Sequence, residues 1–302
     1  MLASTSGLAG FGQWPEHGSP VPPGSRKHPE GAATVSPLMY LLFPLLGIVA
    51  GILAGLLGVG GGLVLVAALA WLLPLFGVPP EVAMHAALAS SLASIVLTAA
   101  SSARAHARRG SVLWPTVAWM VPGLLLGAWL GSGVAVKLDA QTLRWIVAGY
   151  CLLAAWQTGF GRSRAPADGS EVPAPRGWPM SAAGGGIGVL SALVGIGGGS
   201  MTVPLLVWCG VRPVRAVGTS SACGVAIGLS AAAGYALHAP SGALPAHGIG
   251  YVYLPAAIGV ALASVLAAPW GTRLAHRLSG NALRKVFALF LLLVALSVPW
   301  SG

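Results

Sequence analysis

Residues 58–62 read Gly-Val-Gly-Gly-Gly, and residues 195–199 read Gly-Ile-Gly-Gly-Gly. Both runs are embedded in apolar sequence, and consecutive glycines let the backbone adopt conformations that other residues avoid. A helix can stop and restart there. One such run in each half of the chain predicts a pair of helix breaks in a duplicated architecture. A second pair follows in the same order, with Ala89-Ser90-Ser91-Leu92 opposite Gly218-Thr219-Ser220-Ser221, each opening an apolar segment rich in small residues.

Around these runs, apolar stretches fall at 38–57, 63–76, 86–103, 112–130 and 143–159, and again at 181–194, 200–210, 216–237, 250–270 and 284–299. The chain of 302 residues is 56% hydrophobic and 7% charged, whereas a soluble domain carries about 25% charged residues. Lipid is therefore the expected solvent. Because 63–76, 181–194 and 200–210 fall short of the roughly 20 residues of a straight span, about 8–10 membrane segments are expected, the short ones as half-helices or re-entrant hairpins. The expected fold is an all-α polytopic transmembrane protein of two inverted-topology repeats with Gly-rich helix breaks. Its parts are a disordered N-terminal tail (1–37), a first membrane repeat (38–159), a Pro-rich linker (160–180) and a second membrane repeat (181–302). The tail lacks the apolar core of a signal peptide.

Five segments per half oblige the second half to enter the membrane from the opposite side. Charge supports this reading. With the linker in the cytoplasm, the inside loops hold Arg104, Arg108, Arg109, Arg162, Arg164, Arg176, Arg212, Arg215, Arg273, Arg277, Arg284 and Lys285, leaving Arg26, Lys27, Lys137 and Arg144 outside. Cytoplasmic loops are the ones that gather Lys and Arg. A multi-pass protein of the inner (plasma) membrane with both termini outside is expected.

The formal net charge of +10 does not signal nucleic acid, because the basic residues sit between apolar segments and form no stripe interleaved with aromatics. Cys151, Cys209 and Cys223 show no CxxC spacing, so neither a disulfide framework nor a zinc site is expected. His85 and His106 lie near segment ends without carboxylate companions and read as interfacial. The tryptophans read as belt or packing residues, and Cys223 as a small apolar filler.

All six acids, Glu16, Glu30, Glu81, Asp139, Asp168 and Glu171, fall in the tail, loops or linker. Cation transporters and proton relays place carboxylates at membrane depth, and hydrolases need paired acids or a nucleophile with its base. No enzyme, cofactor or metal is therefore expected. Glycine N–H groups, hydroxyls and helix N-termini are what remain at membrane depth, and these suit anions. The candidate substrate-binding residues are Gly60, Gly61, Gly62, Ser90, Ser91, Gly197, Gly198, Gly199, Ser200, Thr219, Ser220 and Ser221, with Arg104, Arg108 and Arg109 at a cytoplasmic mouth. Two plainer readings stand beside this one. Small residues also let membrane helices pack closely, and Ser and Thr also bond the preceding turn.

The residues that carry these arguments also resemble a known family. Gly55–Gly62 (GLLGVGGG), Ala87–Pro115, Pro122–Ser132 (PGLLLGAWLGS), and ALVGIGGGSMTVPLL with AVGTSSA in the second half are similar to the sulfite exporter TauE/SafE family of membrane permeases, over about residues 40–300. In that family the first hydroxyl motif usually reads Gly/Ala-Thr-Ser-Leu, and Ser90 here replaces the threonine while keeping a hydroxyl. The resemblance implies a secondary transporter that moves sulfite, sulfoacetate or other organosulfonates across the inner membrane, with export as the usual direction. The expected partners are a small sulfur-containing anion and the bilayer, with a homodimer as an option. An anion channel on the same scaffold and a non-transporting membrane scaffold are the alternatives.

Overall fold

The computed structural model describes residues 37–57, 61–160, 173–244, 247–275 and 280–300. The tail up to residue 36, Gly58–Gly60 and residues 161–172 lie outside the described residues, as do the side chains of Arg273, Arg284 and Lys285.

Ten α-helices run through the described residues: α1 (Leu42–Leu57), α2 (Gly62–Leu72), α3 (Pro80–Arg108), α4 (Trp114–Lys137), α5 (Ala140–Phe160), α6 (Trp178–Val194), α7 (Gly199–Trp208), α8 (Pro213–Leu237), α9 (Leu254–Ala275) and α10 (Gly280–Ser297). A two-stranded hairpin, β1 (Gly248–Ile249) and β2 (Val252–Tyr253), precedes α9. Helices α3, α4 and α8 are long and apolar enough to cross a bilayer, and several shorter apolar helices surround them. Lipid leaves backbone groups no partner outside the segment itself, which is why such sequences settle as helices. The molecule is an all-α polytopic membrane protein, and its outward surface carries Leu45, Leu126, Trp145, Leu262 and Leu293 as exposed apolar side chains.

Proline opens α3, α4, α6 and α8 at the first or second helical position, where its missing N–H costs nothing. Packing then crosses between the halves. Helix α1 lies on α9 and α6 lies on α4; α3 lies on α8, and α5 on α10. Counted within its own half, the first helix packs on the fourth of the other half in both directions. Both of these contacts use small residues to bring backbones together. A methyl group added at Gly47 would stand 2.5 Å from the Val260 carbonyl oxygen, and one at Gly188 would stand 2.6 Å from that of Leu124.

The connections gather at two ends. Leu113, Leu206, Val211 and Ala216 form a small cluster against Ala174, so the end of the linker meets the α3–α4 and α7–α8 corners. Arg104, Arg108, Arg109, Arg176, Arg212 and Arg215 belong to these same segments. The other end holds the start of α3, the α4–α5 corner, the hairpin and Pro299. There His85 Nε2 meets Leu138 O at 3.0 Å, Arg144 reaches Pro80 O, and Gln141 reaches Pro299 O.

Candidate functional site

The second glycine run breaks the chain between α6 and α7. Gly195 closes α6 with φ 75°, and Gly198 caps α7 with φ 73°. Both lie in the left-handed region that glycine enters without the steric cost of a Cβ. The freed α6 end is satisfied locally, since Gly195 N and Ile196 N both donate to Ser191 O, at 2.9 and 3.1 Å. On the α7 side, Gly198 O accepts from Thr202 N at 2.8 Å. The first N–H groups of α7 precede any intrahelical acceptor and face the break.

The first run behaves likewise where it is described. Gly61, with φ 33°, precedes α2, and its carbonyl accepts from Leu65 N at 3.1 Å. Gly60 lies outside the described residues.

The two breaks touch. A Cβ at Gly62 would stand 2.9 Å from Gly195 O and 3.1 Å from Ile196 Cα. Ser91 Oγ on α3 fastens them together, lying 2.9 Å from Gly195 O and 3.3 Å from Gly62 O. At about 1.5 Å rise per residue, Ser91 stands roughly 16 Å along α3 from Pro80 and roughly 26 Å from Arg108. The junction therefore lies deep in the helix bundle. Beside it, Ser90 Oγ accepts from Tyr253 N at 2.9 Å, which ties the hairpin to the same point on α3.

The other hydroxyl motif lies elsewhere. Thr219 Oγ1 accepts from Leu113 N at 3.0 Å and donates to Arg215 O at 2.7 Å, which places it at the linker end. Ser221 Oγ donates to Val217 O and pairs with Ser102 Oγ, both at 3.0 Å; Ser220 is buried between these two residues. Counted from the prolines that open α3 and α8, the counterpart of Ser91 is Gly224, whose Cβ would stand 3.0 Å from Gly197 O. A glycine thus meets the second break where a serine meets the first. Arg104, Arg108 and Arg109 are exposed near the C-terminal end of α3.

Two hydroxyls absent from the sequence expectation stand at the second break. Ser191 Oγ and Thr202 Oγ1 are fully buried and have no hydrogen-bond partner. Ser191 Oγ would be 3.5 Å from a Cβ at Gly198, so it lies against the N-cap of α7. Thr202 occupies the buried face of α7 with Gly199 and Leu206. Ser200 is fastened from outside, its Oγ 2.5 Å from Tyr150 Oη on α5. The usable signal in the sequence was a hydroxyl four residues before the run and another three after it. The equivalent first-half positions are Ala54 and Leu65, so a search for features shared by both halves discards them.

Buried polar groups without partners are uncommon and costly. Two of them beside a helix N-terminus make a place that can donate hydrogen bonds to an acceptor. Among the described residues, no three or more His, Cys, Asp and Glu side chains are grouped as a metal site would require.

The chain is similar to known membrane proteins. The family model described as sulfite exporter TauE/SafE matches residues 43–298. A probable membrane transporter protein of Haemophilus influenzae is 35% identical over 261 residues, covering 85% of this chain and 97% of the relative. One from Xylella fastidiosa is 30% identical, covering 83% and 91%, and one from Methanocaldococcus jannaschii is 26% identical, covering 84% and 96%. No solved structure matches the chain. With the family model spanning almost the whole described bundle, the chain belongs to the sulfite exporter TauE/SafE family of membrane transporters.

Proposed function

We propose that this transporter moves sulfur-containing anions (sulfite, sulfoacetate or other organosulfonates) across the inner membrane, outward, with the anion held at the second glycine break. The observation that carries the site is the pair of buried, unpartnered hydroxyls, Ser191 and Thr202, on either side of Gly198. They and the α7 N-terminus offer neutral donors and a positive helix end, which binds an oxyanion without requiring a counter-charge at membrane depth. Ser91, Gly62 and Gly197–Ser200 shape the junction. Thr219, Ser220 and Ser221, with Arg104, Arg108 and Arg109, serve the approach from the linker end, where basic residues raise the local anion concentration.

The reciprocal packing of α1 on α9 and α6 on α4 supports two membrane repeats (38–159 and 181–302), while inverted topology, with the linker in the cytoplasm and both termini outside, rests on five segments per half and on where the Lys and Arg residues fall. In such a scaffold the halves can rock about a fixed central site.

The test is sulfite flux in proteoliposomes. A Ser191→Ala, Thr202→Val double variant is expected to fold and to lose at least about tenfold in flux, a loss of about 1.4 kcal/mol in transition-state stabilisation. Flux equal to wild type would remove this site. A channel would conduct without saturating, and a scaffold would give no flux at all.

A further inference from the structure

Arg144, one of four basic residues placed outside by the charge count, is not on the surface. It is 6% exposed. Nη1 donates to Gln141 Oε1 at 3.2 Å and Nη2 donates to Pro80 O at 3.4 Å, while Nε has no partner. Both acceptors are neutral. The two described acids are exposed, and Asp139 spends both oxygens on Thr142, at 2.8 and 2.7 Å. Those bonds hold its carboxyl below the ordinary carboxylate range. A buried cation without a counter-charge is costly unless something anionic visits it.

A second unpartnered atom lies on the same seam, between the first turns of α3 and the α4–α5 corner. His85 is 4% exposed, and its ring stacks on Tyr251 with centroids 4.9 Å apart. Because Leu138 O can only accept, the hydrogen belongs on His85 Nε2. Nδ1, buried and unbonded, is therefore a bare lone pair in the neutral ring and a donor in the imidazolium. It can meet either the O–H of a hydrogen-bearing oxyanion such as bisulfite or, once protonated, an anionic oxygen.

We propose that this seam is a second anion site, at the end of the molecule opposite the linker, with Arg144 supplying the charge and His85 a further hydrogen-bond position for a small oxyanion. The inference rests on the anion-transport reading and adds to it the point at which the anion leaves or enters the far side. A phospholipid headgroup would offer related chemistry, but the two groups lie buried between helices rather than on the bilayer-facing surface.

The test uses the full chain in an uncharged detergent and in oriented proteoliposomes, with sulfite as probe. Arg144→Met should unfold in anion-free buffer no earlier than wild type, since it removes an uncompensated buried charge, and it should lose part of the sulfite-dependent thermal stabilisation, keeping only the share that the second-break site supplies. Its KM for sulfite offered at the far face should rise about tenfold or more, with the KM at the linker face unchanged. Arg144→Lys keeps the charge without the planar fork and should fall between; if the Met variant does not fold, the Lys KM decides. A lower anion-free melting point with unaltered sulfite response would make Arg144 a structural staple and overturn the proposal. Stabilisation lost for phosphatidylglycerol but not for sulfite would overturn it as well. If wild-type protein binds sulfite but carries no flux, the transport reading fails while the thermal comparison still judges the site.

Discussion

The two glycine breaks share a sequence pattern and touch each other, yet they are furnished differently. Where the first is flanked by Ala54 and Leu65, the second has Ser191 and Thr202. α3 presents Ser91 to the junction, with its hydroxyl bonded to the carbonyls of Gly195 and Gly62. α8 presents Gly224 at the corresponding turn. What the halves have in common, the glycines, lets two backbones meet inside the bundle. What they do not have in common is the chemistry left over once they have met. The shared glycines therefore account for the contact between the breaks, and the proposed anion site rests on the difference between them.

The largest effect expected from breaking this arrangement is at Gly198. Alanine there must hold φ 73° while its methyl meets Ile227 Cδ1, combining about 1–2 kcal/mol for a left-handed L-residue with about 1–3 kcal/mol for overpacking. Gly77 is the control. Its φ is 81° with nothing within 4 Å of an added Cβ, so Gly77→Ala should cost only the backbone part. Thermal midpoints in one detergent would compare them, and equal losses would mean that the second break has no packing constraint beyond its φ.

Ser91→Ala comes next. Its hydroxyl is the donor shared by a carbonyl from each break, and removing it leaves both oxygens buried with one partner fewer. A loss of about 1–3 kcal/mol is expected, with sulfite affinity falling only as far as the junction loosens. A large loss of affinity at unchanged stability would instead make Ser91 a ligand-binding hydroxyl.

Much of this is legible in the sequence. The recurrent glycine runs, the apolar stretches and the polar linker anticipate ten helices in order, because hydropathy and helix breaking are local properties of the chain. Boundaries shift by up to seven residues: the stretch at 112–130 becomes α4, Trp114–Lys137, and that at 86–103 becomes α3, Pro80–Arg108, while 200–210 becomes α7, Gly199–Trp208, nearly as read. Ala89–Leu92 and Gly218–Ser221 correspond as letters but not as helical turns. The register of α8 against α3 is set by packing, and it carries Thr219 toward Leu113 and away from the break. Whether a hydroxyl is already satisfied is likewise a tertiary fact. No pattern in the sequence separates Ser91, bonded to two carbonyls, from Ser191, bonded to none. Arg144 is hidden for a related reason, since reading it as a loop charge yields an expected side of the membrane but not that the side chain is buried.

The smallest stability effect expected is the most informative about the two breaks. Ser191→Ala deletes a fully buried hydroxyl that bonds to nothing. A buried polar group without a partner has already lost its water, so replacing it by a methyl removes that penalty at the cost of a very small change in volume. The thermal midpoint in anion-free buffer should therefore stay level or rise, by a margin of about 0–1 kcal/mol, where Ser91→Ala lowers it. In saturating sulfite the order should change for a different reason. Wild type gains RT ln(1 + [L]/Kd) from its ligand, and the Ser191 variant, having lost a donor, gains less. A serine whose removal is harmless to the empty protein and harmful to the loaded one is held there for the ligand. If Ser191→Ala instead weakens the empty protein as Ser91→Ala does, the hydroxyl has a partner in the folded chain, and the two breaks are alike after all.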